Sequence, residues 1–157
     1  MAYLTHILIF IIIWLILAIS YNIVIGYTGL LTMAHAAFFG VGAYASALLT
    51  INLGFNFLVG MLVGIIVAAI LGAIIAIPSL RVGGDYLLVL SFGFQMVVNG
   101  IMTNWTKVTG GEGGIPGIPI PNFMGIKIIS NNSFLLLAII FGILCFLFVW
   151  WLARSPF

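Results

Sequence analysis

Ser91, Gln95, Asn99 and Thr103 follow one another at intervals of four through an otherwise apolar stretch. On a helix, residues four apart share a face, so their hydroxyl and amide groups form one polar stripe. Uncompensated amides in an apolar solvent are costly, and such a face therefore turns towards other protein or a wet cavity. Two uses fit it: lining a polar pathway, or hydrogen bonding between helices at about 0.6 kcal/mol per contact. His35 stands among Ala34, Ala36 and Ala37 with no second ligand or carboxylate near it in sequence. Metal binding and proton relay are therefore disfavoured, and a hydrogen bond across a nearby helix break is the expected role. Asp85 follows Gly83–Gly84 and precedes an apolar run, where a carboxylate caps a helix and meets its positive end; an ion pair to Arg81 is a further expectation. The remaining carboxylate, Glu112, lies a whole apolar segment away from Asp85. The sequence has no Gly-x-Ser-x-Gly elbow, His-Glu-x-x-His pair or phosphate-binding Gly-x-x-x-x-Gly-Lys-Ser/Thr loop. Catalysis by this chain is not expected.

The elements that carry these residues follow from composition. Of 157 residues, 65% are hydrophobic and 4% charged, against about 25% charged in soluble domains. The charged side chains Arg81, Asp85, Lys107, Glu112, Lys127 and Arg154 cannot cover a water-facing surface, so lipid is the solvent for most of it. A net charge of +2, dispersed along the chain, excludes the clustered cations of nucleic-acid binding. The single cysteine, Cys145, lies within an apolar run and is read as a small packing residue. The apolar stretch Ile7–Ile19 has no basic segment before it, so it reads as a retained membrane span rather than a signal peptide.

A helix needs about 20 apolar residues to cross the hydrocarbon core. Leu4–Ile25, Ala34–Ile51, Phe57–Ile77, Tyr86–Thr103 and Phe134–Ala153 meet or approach that length. Their runs are continuous rather than alternating, which argues for helices and against a β-barrel. The predicted fold is all-α: a polytopic transmembrane helix bundle of about five segments, forming one transmembrane domain over residues 1–157. Gly26–Thr32 (GYTGLLT) is neither polar enough for a loop nor regular enough for an ordinary helix and predicts a helix break. Asn104–Asn132 is the one long polar link, rich in glycine and proline, and predicts an ordered loop outside the membrane or partly re-entrant. In the third span, Gly60, Gly64, Ala68, Gly72 and Ala76 form a ladder of small residues, a groove for close helix approach; packing inside its own bundle is the first expectation, a dimer face the second. Arg81 and Arg154 share one side of the membrane, while Lys107 and Lys127 share the other with Glu112. The positive-inside rule therefore scarcely decides orientation.

Three strings in order resemble one family. GYTGLLTMAHAAFFGVGAY (Gly26–Tyr44), LRVGGDYLLVLSFGFQMVVNGIMTNW (Leu80–Trp105) and TGGEGGIPGIP (Thr109–Pro119) look like signatures of LivM-type permeases, the inner-membrane subunits of branched-chain amino acid ABC importers. The chain departs from the family at Leu31, where a Gln is usual, and at Gly83, where a basic residue is common. The resemblance implies an ABC importer permease in the cytoplasmic (inner) membrane of a prokaryote, carrying leucine, isoleucine or valine. The implied partners are a second permease subunit, two ATPase subunits and an extracytoplasmic amino-acid-binding protein. No cofactor is implied on this chain; ATP and Mg belong to the ATPase subunits. Gly26, Tyr27, Thr28 and His35 at the break, with Ser91, Gln95 and Asn99 on the stripe, would flank the pathway, and Thr109–Pro119 would meet the binding protein. Arg154, Ser155, Pro156 and Phe157 resemble the start of the cytoplasmic segment that docks on the ATPase. That places Pro78–Gly84 inside and Asn104–Asn132 outside. Five crossings then put Met1 outside, whereas a cytoplasmic Met1 would need Gly26–Thr32 to turn a segment back. Family members continue with further spans, so the chain is expected to be an N-terminal part. Two other readings stay open: the same machine carrying urea or a short amide, and a structural subunit of a membrane complex without transport.

Overall fold

Each of the five apolar runs folds as a helix, the conformation in which a backbone in hydrocarbon satisfies its own N–H and C=O groups. The computed structural model describes residues 2–79, 85–123, 126–127 and 130–154. Its helices are α1 (Ala2–Thr28), α2 (His35–Leu53), α3 (Phe57–Ser79), α4 (Asp85–Asn104), the single turn α5 (Thr106–Thr109) and α6 (Asn131–Arg154). All but α5 are long and apolar enough to cross a membrane. The polar link after α4 holds α5, a 3-10 turn at Gly111–Gly113 and a two-stranded pairing of β1 (Asn122–Phe123) with β2 (Ile126–Lys127). The fold is all-α, and each span begins or ends within about three residues of its predicted limits.

One boundary requires correction. The expected break at 26–32 begins later, because α1 continues through Thr28 and keeps Gly26, Tyr27 and Thr28 helical. Gly29 is the residue that ends the helix. It has φ +66°, a left-handed conformation in which glycine suffers no Cβ penalty, and its N–H makes the final bond to the Ile25 carbonyl at 3.0 Å. The irregular segment is therefore 29–34.

The chain divides into two compact units. In the first, residues 1–29 and 127–157, α1 packs on α6. Ile9 and Ala138 are buried there. A methyl group at Gly142 would meet Ile12 Cγ2 at 3.4 Å, an ordinary van der Waals contact, so this face of α6 lies against α1 without requiring glycine.

The second unit, Leu30–Ile126, carries α2, α3 and α4. Lipid tails are as apolar as leucine, so helices in a bilayer associate through close van der Waals contact at small residues. Here α2 and α3 meet through glycine. A Cβ built on Gly64 would lie 2.6 Å from the Gly42 carbonyl oxygen, and one on Gly42 would lie 3.6 Å from Ala68 Cβ. One turn before Gly64, a Cβ on Gly60 would lie 2.8 Å from Thr50 Oγ1, a hydroxyl held by the Ser46 carbonyl at 2.7 Å. The first three members of the ladder thus face α2, while Gly72 has open space around it and Ala76 is exposed. Helix α4 lies on α2, with Phe38 against Phe94 at 6.0 Å between centroids and the Met102 thioether in the space left by Gly40. The outer face of α3 displays Ile66, Ile70, Ile74 and Ile77, each more than half exposed. Such a patch is untenable in water and ordinary against acyl chains.

Candidate functional site

The four residues of the α4 stripe meet different fates, because α4 touches other protein only along part of its length. Ser91 is 1% exposed. Its Oγ accepts the Met33 N–H at 2.9 Å and donates to the Leu88 carbonyl at 3.0 Å. Thr32 Oγ1 accepts the Ala34 N–H at 3.3 Å, and the Ala34 carbonyl accepts the Ala37 and Phe38 N–H groups as α2 begins. The irregular segment is thereby tied to α4 through one serine. Ser91 makes a bond that joins the break to α4; His35, of which a hydrogen bond across the break is expected, stands half-buried as the first residue of α2. Replacing Ser91 by alanine strips the Met33 N–H of its acceptor. The expected cost is about 1–2 kcal/mol, read as a lower melting temperature in detergent, with threonine in its place retaining most of the stability.

One turn along, Gln95 Oε1 is buried and has no hydrogen-bond partner among the described residues. An acceptor left so costs about 1–3 kcal/mol, which sets Gln95 apart from Ser91 on the same stripe. Asn99, a further turn on, is exposed. Thr103 returns its hydroxyl to the Asn99 and Gly100 carbonyls at 3.0 and 3.2 Å. The stripe is sealed at Ser91, unsatisfied at Gln95 and open at Asn99.

The other expected site residues lie elsewhere. Gly26 and Tyr27 are exposed on α1, in the first unit, whereas His35, Ser91, Gln95 and Asn99 belong to the second. The Thr28 side chain lies outside the described residues. So do Arg81 and the Asp85 side chain, although α4 opens at Asp85; the expected cap and ion pair therefore fall outside the description. Arg154 closes α6 with its guanidinium 4.1 Å from the centre of the Trp150 ring, a cation–π contact. Ser155, Pro156 and Phe157 lie outside the described residues. Among those described, no three His, Cys, Asp or Glu side chains converge as metal ligands would.

Sequence reasoning did not single out Thr109. It is 6% exposed and organises the loop after α4. Its hydroxyl is shared between the Met102 and Trp105 carbonyls, at 2.6 and 2.8 Å, and accepts the Gly111 N–H at 3.3 Å. The only sequence signal for it is its place at the head of the TGGEGG string.

The profile of the family described as "Branched-chain amino acid transport system / permease component" matches residues 3–157. The high-affinity branched-chain amino acid transport system permease protein LivM of Escherichia coli (strain K12) is 36% identical over 115 residues, which are 73% of this chain and 27% of that protein. The protein of the same name from Salmonella typhimurium (strain LT2) gives the same figures. The chain thus spans about a quarter of the length of the curated relatives it matches. No solved structure gives a significant match. With the family profile covering nearly every residue of a five-span all-α membrane chain, the chain belongs to the permease-component family of branched-chain amino acid transport systems.

Proposed function

We propose that this chain forms part of the membrane-spanning permease subunit of an ABC importer that moves leucine, isoleucine or valine across the cytoplasmic membrane of a prokaryote. The observation that carries this reading is the family match over residues 3–157. An extracytoplasmic binding protein delivers the amino acid to the face formed by the link after α4. This permease and a second one enclose the pathway. Two ATPase subunits, which hold ATP and Mg, drive the pair between outward- and inward-open states. An aliphatic cargo requires a largely apolar passage with few polar anchors. The orphaned Gln95 oxygen and the exposed Asn99 on α4 suit that role.

Deleting the gene in its host is expected to abolish high-affinity uptake of labelled leucine. Restoring the gene returns uptake, unlabelled isoleucine and valine compete, and urea does not. Competition by urea but not isoleucine would replace the cargo. Unchanged uptake after deletion would remove the transport role.

The Gln95→Leu substitution separates a pathway residue from polar packing. Its folded state loses a buried unpaired acceptor, so stability is expected to hold or rise by about 1 kcal/mol. Leucine uptake is expected to fall by about tenfold, the worth of one hydrogen bond to the passing cargo. Unchanged uptake at equal membrane abundance assigns Gln95 to packing.

A further inference from the structure

The loop after α4 and the C-terminal end of α2 line a half-open pocket of about 310 Å³, with Lys107 exposed at it. Its size sits near the lower end of the range of about 300–1,000 Å³ typical of small-molecule sites. Leu48, Ile51 and Ile115 give it aliphatic walls, Asn52 and Thr106 add an amide and a hydroxyl, and Lys107 is the one charged residue that lines it. No described carboxylate forms an ion pair with Lys107; Glu112, the nearest in sequence, is exposed and does not line the pocket. The pocket is built into ordered backbone. Thr109, buried beside Lys107, ties the loop to the end of α4, and the Gly110 N–H closes α5 on the Thr106 carbonyl at 3.1 Å.

We infer that this pocket binds the carboxylate and branched aliphatic tail of a small organic acid, the cargo amino acid included. Resting on the reading of the chain as part of an amino-acid permease, the inference makes the pocket an entry subsite on the face where cargo arrives. One cation against several aliphatic side chains matches an acid of about leucine's size. A nucleotide would need several cations, and urea would gain nothing from the walls. No carboxylate is among the described residues that line the pocket, so the cargo's amino end remains at the mouth in water. The pocket therefore reads the acid and the tail but not the amine.

The test is competitive labelling of Lys107 by an amine-acylating reagent in the full-length permease, held in nanodiscs of neutral lipid and read by mass spectrometry. Lys127, the other lysine of this chain, is the internal reference. Leucine and 4-methylpentanoate are expected to protect Lys107, with labelling down about tenfold at ten times the dissociation constant. Leucinamide and urea leave it reactive, and protection weakens as salt screens the charge. Equal protection by leucinamide, or none by either acid, overturns the inference. So does protection that arises only in phosphatidylglycerol nanodiscs, which assigns the cation to a lipid headgroup. The two readings fail separately. An unprotected Lys107 in a permease whose deletion abolishes leucine uptake removes the subsite alone. A protected Lys107 in one whose deletion leaves uptake intact removes the importer and leaves an aliphatic-acid site.

Discussion

Gly64→Ala is expected to separate α2 from α3, at a cost of about 3 kcal/mol, the upper part of the range for overpacking. The added methyl carbon would sit 2.6 Å from the Gly42 carbonyl oxygen. That obstacle is backbone in the middle of a helix, so no rotamer change relieves the clash and one helix has to move as a body. Small residues are what allow helices to associate in a bilayer, where burial of apolar surface adds no net drive, so the displacement removes most of what holds this pair together. Gly60→Ala is expected to cost less. Its nearest obstacle is Thr50 Oγ1 at 2.8 Å, a side-chain atom that can rotate after breaking one bond to Ser46. Gly72→Ala, with nothing within 4 Å, should stay within about 0.5 kcal/mol of the parent. Thermal melting in one detergent ranks all three. Equal effects at Gly64 and Gly72 would show that α2 and α3 do not cross where the glycines place them.

That ladder marks how far sequence reaches in this protein. Spacing by four identified the face, since helical periodicity is fixed by geometry. It could not identify α2 as the neighbour of only the first three rungs: α2 carries its own small residues four apart, Gly42, Ser46 and Thr50, but spacing fixes a face and not the length over which two faces meet. The five spans were legible for a similar reason: continuous apolar runs of this length have one solution in lipid. The start of the break was misplaced by three residues. Glycine in a membrane helix is tolerated in the interior and is also the natural helix terminator, and nothing local distinguishes Gly26 from Gly29. The polar stripe was visible on α4, but its division into sealed, unsatisfied and open parts depends on where the irregular segment 29–34 meets Ser91. Thr109 was illegible for the strongest reason. It serves a backbone carbonyl seven residues earlier, a contact that no periodicity announces.

The second large effect is expected in the loop that forms the pocket. Gly110 has φ +75°, and a Cβ there would fall onto the Gly114 carbonyl oxygen. Alanine must adopt a conformation that costs about 1–2 kcal/mol for an L-residue, and the Gly110–Gly114 turn must also open. The combined cost is about 3 kcal/mol, borne by the loop rather than by the helices. Gly110→Ala should therefore leave the melting of the helical bundle nearly unchanged while exposing 105–117 to proteolysis. Because Gly110, Lys107 and Ile115 line the same pocket, protection of Lys107 by 4-methylpentanoate should be lost as well. Gly113→Ala in the same loop is the matched control: its φ is not positive and no atom lies within 4 Å of the added carbon, so both readouts should match the parent. If both substitutions were equally damaging, the glycines would be supplying flexibility to the loop. Damage confined to Gly110 means that they supply one fixed conformation, which a preformed pocket requires.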